Sequence, residues 1–114
     1  MKYLCLVYLD QENWNACPDG ICFDHVQTLQ RSGHFVDGMP LHPVHTATTV
    51  RVRNGKTSLV DGPFAETKEQ LAGFYLIEAR DLNEAIRLAA DIPPAKYGSI
   101  EVRPVRQLDV TGSI

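Results

Sequence analysis

The sequence predicts an α+β fold, a ferredoxin-like split βαβ sheet that carries an inserted β-hairpin. Three observations point there. Residues 2–9 and 71–79 are β-prone segments with apolar side chains on both faces. Helix start and stop signals follow each of them, at Gly33 and at Asp81. Asn54-Gly55 lies between two runs rich in β-branched residues, the strongest short-range hairpin signal. In chain order the elements read strand, helix, strand, hairpin, strand, helix, strand, and without the hairpin this is the split βαβ pattern.

The first strand is KYLCLVYL, residues 2–9, and a polar loop with Asn, Pro and Gly follows over 10–19. Ile21, Phe23, Val26 and Leu29 place a helix over 21–32, with Gly33 as the residue that tolerates positive φ at its end. HFVDG (34–38) is a short strand, and Pro40 and Pro43 bracket a bend. Residues 45–53 and KTSLVD (56–61) form the hairpin. Asp61-Gly62-Pro63-Phe64 is a turn in which Gly62 is expected to be extended, as residues before proline usually are. Residues 65–70 are polar loop, and 71–79 are the next buried strand. Asp81 caps a helix starting near Leu82, with Glu84 as its capping-box partner. Leu82, Ala85, Ile86, Ala89 and Ala90 make its apolar stripe, and Pro93-Pro94 stops it. SIEVRPVR (99–106) alternates as a half-buried strand; Pro104 cannot donate to a ladder, so this strand belongs at a sheet edge. Residues 1–107 form one domain and 108–114 a loose tail.

The 114 residues fit one domain, with 44% apolar and 22% charged side chains, an ordinary globular balance. A net charge of −3 argues against nonspecific nucleic-acid binding and against attraction to an anionic membrane. No stretch approaches the ~20 apolar residues of a spanning helix, and the start of the chain lacks the features of a signal peptide. With three cysteines, one inside an apolar run, reduced thiols and a cytoplasmic address are expected. Cys17, Cys22 and His25 are spaced C-x4-C-x2-H, but a structural zinc site takes four ligands and no fourth follows, so no metal is expected. No Gly-rich phosphate loop occurs, and no cofactor is expected.

The central strands raise a question of cover. Tyr3, Cys5, Val7 and Leu9 lie on one side of the first strand, and Leu4, Leu6 and Tyr8 on the other. In the later strand Ala72, Phe74 and Leu76 alternate with Leu71, Tyr75 and Ile77. Two helices cover only one face. Leaving the other bare would expose a large apolar patch, so a homodimer is expected, the alternative cover being the chain's own hairpin.

The segment Val60-Asp61-Gly62-Pro63-Phe64-Ala65-Glu66-Thr67-Lys68-Glu69-Gln70-Leu71-Ala72-Gly73-Phe74-Tyr75 resembles the signature of the YCII-related family, in its DGPF-domain branch. Thr46 to Arg51, Gly98 to Pro104 and Met1 to Leu4 agree, and only residues 11–32 depart. The resemblance implies a dimeric α/β barrel, two ferredoxin-like sheets packed face to face. It implies no single activity: relatives on the fold include isomerases, monooxygenases and a ring-chloride-eliminating enzyme, and others are linked to extracytoplasmic-function sigma factors. A His–Asp pair is implied to serve catalysis in relatives, but its histidine lies in the first helix, where this chain departs; His25 is the only histidine there, and the role is not carried over.

Several residues could carry chemistry. Asp61, at a strand end, could act as a general base or could simply accept hydrogen bonds from its turn. His34 and His45 titrate near neutral pH, His34 at the better-placed helix-to-strand corner. Glu66, Lys68 and Glu69 read as a solvated charged stretch or as a loop over a partner's cleft. Glu101 and Arg103 alternate with Ile100 and Val102, so they point away from the helices; they form an ion pair, or Arg103 holds an anionic substrate. Tyr75 is mid-strand and core-like, and Gly73 allows a bulge or close backbone approach. The expectation is a small-molecule binder or a cofactor-free acid–base enzyme of isomerase or lyase type. Asp61 and His34 would be catalytic, and Arg103, Glu101, Tyr75, Glu66 and Lys68 would contact substrate. The alternative is a non-enzymatic module contacting a sigma factor.

Overall fold

The computed structural model describes residues 1–111. Its elements are β1 (Lys2–Asp10), α1 (Asp19–Arg31), β2 (Phe35–Pro40), β3 (Thr48–Arg53), β4 (Lys56–Asp61), β5 (Glu69–Glu78), α2 (Leu82–Ala90) and β6 (Ser99–Pro104), with short 3-10 turns at Val44–Thr46 and Pro93–Lys96. The main sheet is antiparallel with order β2-β5-β1-β6. This is the split βαβ order the sequence predicts. β3 and β4 form a separate two-stranded sheet. Asn54 (φ 52°) and Gly55 (φ 74°) form its two-residue turn with both central residues at positive φ, as an Asn-Gly hairpin should. β6 is an edge strand, with Pro104 opposite Tyr3.

The core lies on one face only. Tyr3, Cys5, Val7 and Leu9 of β1, with Tyr75 and Ile77 of β5, are 0–8% exposed and pack under Leu29 of α1 and Ala85, Leu88 and Ala89 of α2. The helices are set by their ends. Gly33 N–H donates to Gln30 O and His34 N–H to Leu29 O, the two bonds of a Schellman stop. Asp81 Oδ1 accepts from Glu84 N–H at 2.9 Å, and Glu84 Oε1 accepts from Arg80 N–H at 2.8 Å, one residue before the expected capping-box donor.

Two details depart from the sequence reading. The inward arc of α2 is Glu84, Ala85, Leu88 and Ala89, continued by Ile92, while Leu82 (49% exposed), Ile86 (51%) and the exposed Ala90 lie outside it. Burying the capping glutamate turns the helix by part of a turn and carries Leu82 and Ile86 past the sheet. A bulge between Val7 and Tyr8 shifts the β1–β5 register, so Leu71 pairs with Tyr8 on the open face and Ala72 packs toward the helix-side core. The open face therefore holds Leu4, Leu6, Tyr8, Leu71, Phe74 and Leu76, and no other element of the described chain packs over it as the helices do over the first.

Candidate functional site

The bulge and the glycines beside it shape a cavity at the β2 end of the sheet. A Cβ on Gly73 would sit 2.9 Å from Met39 O, so only glycine lets β2 approach β5 this closely there. α1 begins at Asp19 without a side-chain cap, preceded by an irregular loop held by a few turn hydrogen bonds such as Ala16 N–H to Asn13 O. Between that loop, the first turns of α1, Gly38–Leu41 and the Leu9 end of β1 lies a cavity of about 700 Å³. Its walls include Trp14, Cys17, Cys22, Met39 and Tyr75. It lies largely on the helix side of the sheet, not in the open face where a cleft between two sheets would be.

Tyr75 is the polar centre of this cavity. Its ring is 8% exposed, and its hydroxyl has no hydrogen-bond partner among the described residues. Burial, then the neighbouring Cys22 and Cys17, pushes its phenol up to about 12, so it stays protonated at neutral pH and is a donor. Behind it, the His25 ring meets Tyr75 edge-on, with centroids 6.0 Å apart and planes at 70°. His25 Nε2 is buried without a hydrogen-bond partner. Burial lowers the imidazole below its usual value against the opposing charge of Asp91, so the ring is held neutral. Cys17 Sγ and Cys22 Sγ lie 3.1 Å apart in the same wall.

A second cavity, about 720 Å³, adjoins the first across Trp14 and Asn15. Its lining brings together His45, Glu66, Thr67, Gln70 and Pro63. Gly62 positions that loop. It adopts φ 110°, contrary to the extended geometry expected before proline, a region open to glycine and strained for other residues. The conformation lets Gly62 N–H donate to Ala47 O at 2.7 Å and Gly62 O accept from Thr49 Oγ1 at 2.9 Å, tying the Asp-Gly-Pro-Phe turn to the hairpin base.

The residues singled out from the sequence are scattered. Asp61 ends β4 opposite Thr48, and its carboxylate accepts no hydrogen bond from the turn. His34 lies at the other end of β5: its Nδ1 donates to Glu78 O at 2.8 Å. Neither residue lines either of these two cavities, and the two are not brought together. Arg103 and Glu101 form an ion pair with side chains 72% and 42% exposed, facing the open side opposite Leu4 and Leu6 as the alternation predicts. Lys68 is exposed outside both cavities, Glu66 lines the second and Tyr75 the first. Sequence reasoning passed over the pairing of Cys17 and Cys22 with Tyr75. Its one available signal was the C-x4-C-x2-H spacing, which reads as a metal pattern; among the described residues no cluster of three or more metal-ligating side chains is assembled.

Known proteins agree with this architecture. An uncharacterised protein of Rhizobium meliloti (strain 1021) is 40% identical over 114 aligned positions, covering 92% of each chain. The solved structure of 5-chloro-2-hydroxyhydroquinone dehydrochlorinase (TftG) from Burkholderia phenoliruptrix AC1100, in complex with 2,5-dihydroxybenzoquinone, superposes with a TM-score of 0.56 at 14% identity, covering 93% of this chain and 94% of that one. No helix among the described residues is long and apolar enough to cross a membrane. The YCII-related domain model matches residues 1–109, and with that match nearly end to end the chain belongs to the YCII-related family.

Proposed function

We propose that this protein is a homodimer that binds a small, ring-sized organic molecule in the cavity beside Tyr75 and moves a proton on it without a cofactor. The observation that carries the reading is the Tyr75 side chain, protonated and with no hydrogen-bond partner for its hydroxyl among the described residues, in the wall of a cavity of about 700 Å³. A tyrosine hydroxyl that faces a cavity is open to a partner, and a ligand oxygen would supply it. The volume falls within the ~300–1,000 Å³ of small-molecule sites, and the mostly apolar wall with few polar groups fits their usual make-up. Proton transfer is the chemistry the groups allow: Tyr75 donates, while His45 and Glu66, which both line the adjoining cavity, are the candidate acid–base groups. This reading moves the catalytic roles away from Asp61 and His34, which neither of the two cavities includes.

The dimer rests on the open face. Leu4, Leu6, Tyr8, Phe74 and Leu76 are half-buried side chains on a sheet face without helices, and the β3–β4 arm exposes Val50, Val52, Leu59 and Val60. A second copy placed sheet to sheet would cover the first set, and the arm would extend the contact.

The test is thermal-shift titration with hydroxylated benzoquinones and hydroxybenzoates, starting with 2,5-dihydroxybenzoquinone, the compound held by the fold relative. Stabilisation of the native protein that is lost in Tyr75→Phe, with the variant's own melting unchanged, is the expected result. Equal stabilisation of both proteins would remove Tyr75 from the site, and no stabilisation by any ring compound would overturn the reading.

A further inference from the structure

The ligand reading leaves the two sulfurs of the cavity wall without a role. Cys17 and Cys22 are both half-buried, both line the cavity and both are free thiols. Their Sγ atoms are 3.1 Å apart, and a disulfide needs about 2.05 Å. Closing the gap takes a side-chain rotation and a small backbone shift. The backbone there can supply it: the residues before α1 are an irregular loop, Pro18 offers neither an N–H nor a side-chain cap, and Ile21 and Phe23 of the first turn face solvent at 53% and 61% exposure. The third cysteine does not compete. Cys5 is fully buried in mid-β1, paired with Tyr75 on one side and Val102 on the other.

We propose that Cys17 and Cys22 are an exchange-active dithiol that takes a small-molecule disulfide, such as oxidised glutathione, as its reaction partner. Cys17 thiolate attacks one sulfur of the external disulfide. That bond breaks, one thiolate leaves with the electron pair, and Cys17 carries a mixed disulfide. Cys22 then loses its proton to solvent and attacks Cys17 Sγ, which expels the second thiolate. Two protein thiols are oxidised and one external disulfide is reduced to two thiols. Burial, followed by the hydrogen bond and charge of Cys17, pushes the Cys22 thiol up to about 12. Cys17 is assigned as the entry sulfur by position: it lies on the irregular loop before α1, whereas Cys22 is held within the helix. The product staples the loop carrying Trp14 to the first turn of α1, in the wall beside Tyr75. The inference rests on the sulfur geometry and not on the ligand assigned above, so either can fail alone.

The full chain is equilibrated in glutathione buffers of stepped oxidised-to-reduced ratio, quenched in acid, alkylated and digested without reduction by a protease that cuts before aspartate. Asp19 lies between the two cysteines, so a Cys17–Cys22 bond holds together the fragments that begin at Asp10 and Asp19, while the fragment with Cys5 is released alkylated. The expected result is that joined pair as the only oxidised species. It tracks the glutathione ratio, reverses fully with dithiothreitol and shares its midpoint with a change in the emission of Trp14, the sole tryptophan. Cys22→Ser should stop at a glutathione adduct on Cys17, and Cys17→Ser should react several-fold more slowly, because its remaining thiol is half-buried and held within the helix. Oxidation into intermolecular disulfides, pairing through Cys5, or separate alkylated fragments even at the most oxidising ratio would overturn the proposal.

Discussion

The two faces of the main sheet are built from the same kinds of side chain and end in different places. Along β1, Tyr3, Cys5, Val7 and Leu9 are at most 5% exposed, while Leu4, Leu6 and Tyr8 between them are only half-buried. Hydrophobicity does not separate the two sets. What separates them is that α1 and α2 lie over the first and nothing in the described chain lies over the second as they do. A strand that is apolar on both sides is thus covered on one side only within the described chain. The hairpin, which could have covered the other, forms its own sheet and exposes its valines instead.

The largest effect should come from the covered face. Ile77 is 1% exposed in the centre of the core, and Ile77→Ala should cost roughly 2–5 kcal/mol, read as a lower urea midpoint at unchanged slope. A smaller loss, near 1 kcal/mol, would show a core that collapses around the deletion. Leu6→Glu tests the open face. On a lone protomer a half-exposed position of this kind should change stability by about 0.5 kcal/mol or less. With a second sheet against it, the carboxylate would be buried unpaired and the assembly would dissociate. The expected outcome is that the native chain sediments as a dimer at micromolar concentration and Leu6→Glu as a monomer. A native chain that sediments as a monomer would remove the dimer and leave the Tyr75 cavity intact, since that cavity lies on the helix side.

The same contrast explains what the sequence made legible. Patterns carried by neighbouring residues were readable: the Asn54-Gly55 turn, the Gly33 stop, the Asp81 cap and Pro104 at an edge all act within a few positions. The alternation of β6 correctly placed Glu101 and Arg103 on the open face. Phase was harder. One bulge at Val7/Tyr8 exchanged the faces of Leu71 and Ala72, and one buried capping glutamate turned Leu82 and Ile86 outward. The cavity was not readable at all. It depends on Cys17, Cys22 and Tyr75 meeting across more than fifty residues of chain, and on Gly73 admitting β2 to close range. Asp61 and His34 drew notice as residue types at element ends, but the partners they meet, Thr48 and the Glu78 backbone, lie at separate places in the fold, and neither residue lines one of the two cavities.

On the covered side, the ends of α2 give a smaller effect. Asp81→Ala removes the acceptor for Glu84 N–H and should cost about 1 kcal/mol, within the usual range for a cap. Glu84→Gln separates hydrogen bonding from charge. The Arg80 N–H, acting against burial, and then the Arg80 guanidinium hold the Glu84 carboxyl below its ordinary value. A carboxylate so lowered contributes stability above its unfolded pKa and loses it as pH falls through the folded one. Urea midpoints of the native chain should therefore decline below about pH 4.5, the ordinary glutamate range, and Glu84→Gln should flatten that decline. An unchanged decline in the variant would move the acid sensitivity to another carboxylate.

The last and smallest effect belongs to His25, at the back of the candidate site. Burial holds its imidazole below the ordinary histidine value of about 6.5, and the buried Nε2 has nothing to accept a second proton's hydrogen bond. The fold thus favours the neutral ring. The unfolded chain binds the proton first as pH falls, so this contribution is complete above about pH 6.5 and is lost as pH drops from there toward the folded pKa. Urea midpoints measured from pH 8 to pH 5 should fall within that window, and His25→Asn should remove that part of the slope while leaving the step assigned to Glu84. The covered face gives a reason for the asymmetry: the His25 ring projects from α1 edge-on to Tyr75 with Nε2 buried and unpartnered, so its charged form is poorly solvated, whereas a histidine on the open face would be exposed to water. A slope that survives His25→Asn would move the titration to another group, whereas a native chain with no slope in that window would mean that the ring gains solvent on protonation and that the wall behind Tyr75 is looser than its packing indicates.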